Sequence, residues 1–128
     1  MAQSSLDVAR LLVNSGADVS ATNDEDWSPL HTAAQRGNRD VVELLLKSGA
    51  SLDARNGEKQ TPLHVACDYG KLDVSRFIID RGSDIHSRNG IGFIPLHAAA
   101  RFGHIDIARL LIDCGSDVNV RTDRKSVV

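Results

Sequence analysis

Three histidines, His31, His64 and His97, stand 33 residues apart, and each closes a Pro-Leu-His tripeptide. Imidazoles in register, together with Cys67, Cys114 and 17 acidic residues, are groups from which a metal centre or a nucleophilic site is built. The spacing argues against both. Equivalent positions on stacked helices lie about 8–10 Å apart, whereas zinc holds its ligands at about 2 Å, so such a ladder cannot converge on one ion. At the third position of a helix, an imidazole reaches back to the helix start, which is a structural task. Cys67 falls in register with Ala34 and Ala100, a small core slot, while Cys114 matches Ser15, Ser48 and Arg81, an exposed position. Asp40 and Asp73 sit where helix N-termini favour a carboxylate. No glycine-rich phosphate loop, nucleophile elbow or zinc signature appears in the chain. The expectation is a protein that is not an enzyme, with no metal and no cofactor.

What positions these residues is a repeat. Pro29, Pro62 and Pro95 share the step of the histidines, as do Gly37, Gly70 and Gly103. Gly16, Gly49, Gly82 and Gly115 extend it, and Asn23, Asn56 and Asn89 lie on it too. Self-similarity at this period is the signature of a stacked array. Each unit reads as two short helices. Ser28 and Thr61 are N-caps, with Pro next at N1, where its missing N–H costs nothing. A glycine closes the first helix, and a second follows, as in "NRDVVELLLKSG". There Val41, Val42, Leu44 and Leu45 form an apolar stripe opposite Arg39, Glu43 and Lys47. Asn56-Gly57 and Asn89-Gly90 are hairpin-turn dipeptides and predict a projecting β-turn between units.

These residues resemble the ankyrin repeat. The T-P-L-H-x-A pattern, the glycine after the first helix and the "LL-x-x-GA-D-V-N" ending are visible over roughly residues 5–122. The resemblance implies an all-α helix-turn-helix solenoid with projecting turns. It also implies a concave surface of turn tips and first helices that binds partner proteins. His104 resembles the family's frequent Gly-His pair and takes a structural role. Ala33, Ala34, Ala66, Cys67, Ala99 and Ala100 on the first helices, against Leu, Ile, Val and Phe on the second, predict a stack that curves with the first helices inside.

A chain of 128 residues fits one domain able to bury a working core. We divide it into a partial unit (1–23), three full units (24–56, 57–89 and 90–122) and a tail (123–128). Seven helices follow: one orphan second helix and three pairs. Neither end carries a polar capping repeat, which points to a piece of a longer array or to a short array that tolerates exposed ends. A formal charge of −2 gives no nucleic-acid or membrane signature, and no apolar run is long enough to span a bilayer. The default expectation is a cytoplasmic or nuclear protein, monomeric or part of a larger chain, whose partner is another protein.

Positions that break the repeat are free for recognition, and they fall in two zones. The turns carry Asp24, Glu25, Asp26 and Trp27, then Glu58 and Gln60, then Ile91 and Phe93. The first-helix ends carry Gln35 and Arg36, Asp68 and Tyr69, Arg101 and Phe102. The chain has one Trp, one Tyr and three Phe; Phe77 occupies a slot matching Leu44 and Leu110, and the other four rings lie on free positions. Trp, Tyr and Arg are enriched at binding hot spots. Two rows result, Arg36–Tyr69–Phe102 and Trp27–Gln60–Phe93. Sealing of the array by these rings is the competing expectation. Charge is graded from Asp24, Glu25 and Asp26 toward Arg88, Arg101, Arg121, Arg124 and Lys125. Ile94 replaces the capping Thr or Ser, and Asp26 and Lys59 stand where Gly92 stands in the third turn, so two turns are expected to be strained or bent toward a partner. The end Ser126–Val128 has the form of a carboxyl terminus captured by strand addition.

Overall fold

The structure is a computed structural model that describes residues 2–119, with side chains from residue 6 onward. Among the described residues there are seven α-helices and no strand: α1 (Ala2–Asn14), α2 (Pro29–Arg36), α3 (Arg39–Lys47), α4 (Pro62–Asp68), α5 (Leu72–Asp80), α6 (Pro95–Arg101) and α7 (Ile105–Asp113). The count and the pairing agree with the periodicity. Arg121, Arg124, Lys125 and the Ser126–Val128 terminus lie outside the described residues.

Local chemistry sets the helix ends. Ser28 is extended, and its Oγ accepts the His31 N–H at 3.3 Å. His31 Nδ1 in return accepts the Ser28 N–H at 3.2 Å, closing a reciprocal cap. Thr61 and His64 repeat the arrangement at 3.3 and 3.2 Å. Ile94 offers no oxygen, and only the return bond from its N–H to His97 Nδ1, 3.1 Å, is kept. Gly37, Gly70 and Gly103 then turn the chain with φ of 71°, 70° and 74°, a left-handed geometry that a side chain disfavours.

The other imidazole nitrogen holds the stack together. His31 Nε2 lies 2.8 Å from the Gln60 carbonyl, and His64 Nε2 lies 2.8 Å from that of Phe93. A carbonyl only accepts, so Nε2 carries the proton and Nδ1 is the acceptor at the cap. Each of these two buried rings therefore ties its own helix start to the next unit's turn. Burial lowers the pKa of His31, and it lowers that of His64 to about 4, although bonds to backbone carbonyls oppose the shift in both.

The core runs the length of the stack. Leu30 and Leu63 from the first helices are fully enclosed, as are Val42, Val74, Ile78 and Leu111 from the second. Each such side chain contributes about 1.5–3 kcal/mol of transfer free energy. Ala34, Ala66, Cys67 and Ala99 fill the narrow slots, all fully buried. These small residues let α2, α4 and α6 pack more closely on one another than α3, α5 and α7 do, which bends the stack with the first helices inside. Phe77 packs against this core from its edge, half-buried like Leu44 and Leu110 in register with it, and the Arg39 and Arg81 guanidiniums lie over its ring at 5.0 and 4.9 Å.

The turns correct one expectation. Gly57 and Gly90 are not at positive φ, so Asn-Gly is not the centre of a tight hairpin here; the left-handed residues are Asp26, Lys59 and Gly92, at 62°, 61° and 82°. Each Asn instead organises its turn: Asn56 Oδ1 accepts the Glu58 and Gln60 N–H groups at 3.0 and 2.9 Å. Asn23 and Asn89 do the same in theirs. Each Gly allows close approach. The Gly57 N–H donates to Glu25 O at 2.9 Å and the Gly90 N–H to Glu58 O at 2.8 Å, where a Cβ would come within 3.1 and 3.0 Å of those same oxygens.

Candidate protein-interaction surface

The two rows of free residues have different fates. Arg36, Tyr69 and Phe102 stand directly before the left-handed glycines, at the ends of α2, α4 and α6, and all are exposed. Tyr69 and Phe102 remain 49% and 50% exposed, which is high for rings on a well-packed stack. Gln35 is half-buried and Arg101 exposed. The Arg101 guanidinium lies over Phe102 at 4.9 Å and over Phe93 at 5.9 Å.

The second row turns inward. Trp27 is half-buried against the core, its ring 5.9 Å from that of His31. Phe93 is half-buried beside His97, with ring centroids 5.2 Å apart. Gln60, expected at the surface, is 7% exposed. Its amide oxygen accepts from Asn56 Nδ2 at 2.9 Å, its Nε2–H donates to Asp68 Oδ2 at 2.8 Å, and its carbonyl is taken by His31. With all three groups engaged, Gln60 braces its turn and leaves the recognition row. Ile91 is half-buried, while Asp24, Glu25, Asp26 and Glu58 are exposed at the turn tips.

The charge gradient narrows at its basic end. Arg88 is half-buried, and its guanidinium donates to Gly92 O at 2.8 Å, within its own turn. Of the cations in that gradient, Arg101 is described and exposed.

Two features escaped sequence reasoning. His104 lies against Gly70, where a Cβ would be 2.7 Å from the imidazole, and its Nε2–H donates to Asp68 O at 2.9 Å. Asp68, Tyr69, Phe102 and His104 together line an open hollow of about 470 Å³. The Gly-His pair signalled the histidine, but its partner lies one unit away in sequence. Burial raises the Asp68 pKa, while the Gln60 bond and Arg101 oppose the shift. The second feature is an apolar groove between α1 and the α2–α3 pair, lined by Leu12, Val13, Ala33 and Leu45 among others. Val8, Leu11 and Leu12 on α1 are more than half exposed, Leu12 within the groove, in register with residues that later units cover more fully.

Cys67 is fully buried beside Ser75, and burial pushes its thiol up to about 12; Cys114 is exposed. No group of His, Cys, Asp and Glu among the described residues is arranged to hold a metal ion. No helix among them is long and apolar enough to cross a membrane.

A family model described as ankyrin repeats (three copies) matches residues 1–89 and again 53–122. No curated protein matches the chain. Members of that family are in general non-enzymatic protein–protein interaction modules. The repeat period, the reciprocal caps and the stacked helix pairs have a common origin: the chain belongs to the ankyrin repeat family.

Proposed function

We propose that this chain binds another protein on the concave side of its stack, as a scaffold, adaptor or targeting module, and performs no chemistry of its own. The observation that carries the reading is the row Arg36–Tyr69–Phe102. Two aromatic rings half open to solvent stand at the ends of successive first helices and border one hollow. Rings left in water gain free energy when covered, and Tyr with Arg makes a typical energetic centre of an interface. The contact zone comprises Asp24, Glu25, Asp26, Gln35, Arg36, Glu58, Asp68, Tyr69, Arg101 and Phe102. Trp27, Gln60, Ile91 and Phe93 support it from beneath.

A purely structural spacer is the second reading, and the inward packing of Trp27 and Phe93 fits it. The exposure of Tyr69 and Phe102 does not. The two are separated by cross-linking the wild-type chain and a Tyr69→Ala/Phe102→Ala variant in extracts of the source cells. Both side chains are exposed, so the variant keeps its helical circular dichroism. The expected result is a discrete set of cross-linked proteins that the variant loses. Retention of every one of them by the folded variant would refute the reading.

A further inference from the structure

The hollow between Tyr69 and Phe102 has a definite chemical character. Two aromatic side chains and a carboxylate bound it, with His104 beside them. Asp68 Oδ2 is held by Gln60, which fixes the carboxylate in place. Its burial disfavours an isolated negative charge, so an arriving cation would relieve a cost already present.

Elsewhere the molecule shows what its rings accept. Phe77 carries two guanidiniums, Arg39 and Arg81, at 5.0 and 4.9 Å. Their mutual repulsion is offset by carboxylates, Asp73 at 3.4 Å from Arg39 and Glu43 at 3.9 Å from Arg81. Phe102 carries one guanidinium, Arg101, at 4.9 Å. Arg101 does not line the hollow, whereas the His104 ring does, 6.4 Å from the Phe102 centroid, and Phe102 stays 50% exposed. Phe102 thus repeats the Phe77 arrangement with a cation missing and a carboxylate in waiting. Every cation over a ring among the described residues is a guanidinium, which can lie flat on an aromatic face while donating from its edge to a carboxylate.

The geometry points to this hollow as a socket for an arginine side chain of the partner protein, stacked between Tyr69 and Phe102 and paired with Asp68. The inference rests on the concave-face reading and gives it a ligand class: a polypeptide presenting an exposed arginine. The Arg101 guanidinium stays on the Phe102 ring, as Arg39 and Arg81 share Phe77. A lysine ammonium fits less well, because it cannot stack and form a planar fork together.

The test uses the full chain labelled with ¹⁵N and three capped pentapeptides, Gly-Gly-X-Gly-Gly, with X as arginine, lysine or citrulline. Citrulline keeps the planar shape and loses the charge. The arginine peptide is expected to shift the amides of Asp68, Tyr69 and Phe102. Its affinity should exceed that of the citrulline peptide by roughly tenfold and that of the lysine peptide by a few-fold. Asp68→Asn and Phe102→Leu should each reduce it by roughly the same tenfold factor, the first keeping the side-chain size and the second the apolar bulk. Equal binding of citrulline, unchanged binding by both variants, or shifts confined to other residues would each overturn the socket. If a cross-linked partner is lost with Tyr69→Ala/Phe102→Ala while the arginine peptide leaves these amides unmoved, the socket falls and the concave-face reading stands. If the arginine peptide binds here while no cross-linked partner is lost, the hollow takes a guanidinium, but the concave-face reading falls and the assignment of that guanidinium to a partner protein falls with it.

Discussion

Replacing His64 by Gln should remove the part of the fold's acid sensitivity that this ring contributes, leaving that of His31 in place. In the native state His64 is fully buried and neutral, with Nδ1 accepting at the Thr61 cap and Nε2–H donating to Phe93 O. Its native pKa is lowered to about 4 by burial, from the 6.5 expected in the unfolded chain. As pH falls below the unfolded value, the unfolded chain takes up a proton that the native state refuses. Stability is therefore full above about pH 6.5 and lost progressively down to about pH 4, below which both states are protonated. Over the interval from about pH 7.5 to about pH 4.5 the loss from this one ring is about 2–3 kcal/mol. Gln at the same position can still accept from the cap N–H, as in an ordinary capping box, and it does not titrate. Urea melts followed by circular dichroism at several pH values measure the comparison directly. Carboxylates such as Asp68 are common to both proteins and cancel in the difference. We expect His64→Gln to be about 1–2 kcal/mol less stable at neutral pH, from the weakened bond to Phe93 O. Its stability should fall by about 2–3 kcal/mol less than wild type on acidification. Parallel pH profiles for the two proteins would refute the assignment of a buried neutral imidazole.

Three further outcomes follow from the geometry. Lys59→Gly should stabilise the chain by about 0.5–1 kcal/mol in urea melts, since Lys59 holds a left-handed φ of 61° that Gly92 adopts freely in the next turn. Ile94→Thr should be more stable than Ile94→Val by about 0.5–2 kcal/mol, because Thr and Val have the same shape and only Thr restores the hydroxyl cap that Ser28 and Thr61 supply. A thiol reagent at neutral pH should modify Cys114 in the native protein and reach Cys67 only after denaturation, because Cys67 is enclosed and its thiol is pushed up to about 12. Rapid native labelling of Cys67 would contradict its place in the core.

The helix pairs were legible because their signals are local. A cap, a proline at N1 and a left-handed glycine lie within about one turn of the helix end that they set, and the repeat prints the proline and the glycine three times and the cap twice. The exposed row Arg36–Tyr69–Phe102 was legible for a similar reason, since the residue before the closing glycine points away from the core stripe. Gln60 was misjudged because its fate is decided elsewhere. One bond runs to Asp68, another to Asn56, and its carbonyl answers a histidine of the preceding unit. Asn-Gly was read through its backbone preference, whereas the glycine is required by the preceding unit's turn, which sequence cannot show to be near. Phe77 matched a core-edge slot by register, but register does not report the two guanidiniums that cover its outer side. The period does not name a side chain's partner in the next unit.

The bonds from Gly57 to Glu25 and from Gly90 to Glu58 join one turn to the next through main-chain atoms alone. Such a seam is indifferent to what the intervening side chains are. The tips read Asp-Glu-Asp-Trp, then Glu-Lys-Gln, then Ile-Gly-Phe, yet the two joins have nearly the same length. Lettering at the exposed tip positions, such as Glu25 and Glu58, can thus be rewritten by mutation without unpicking the spine beneath it, so new binding preferences can evolve on an old frame.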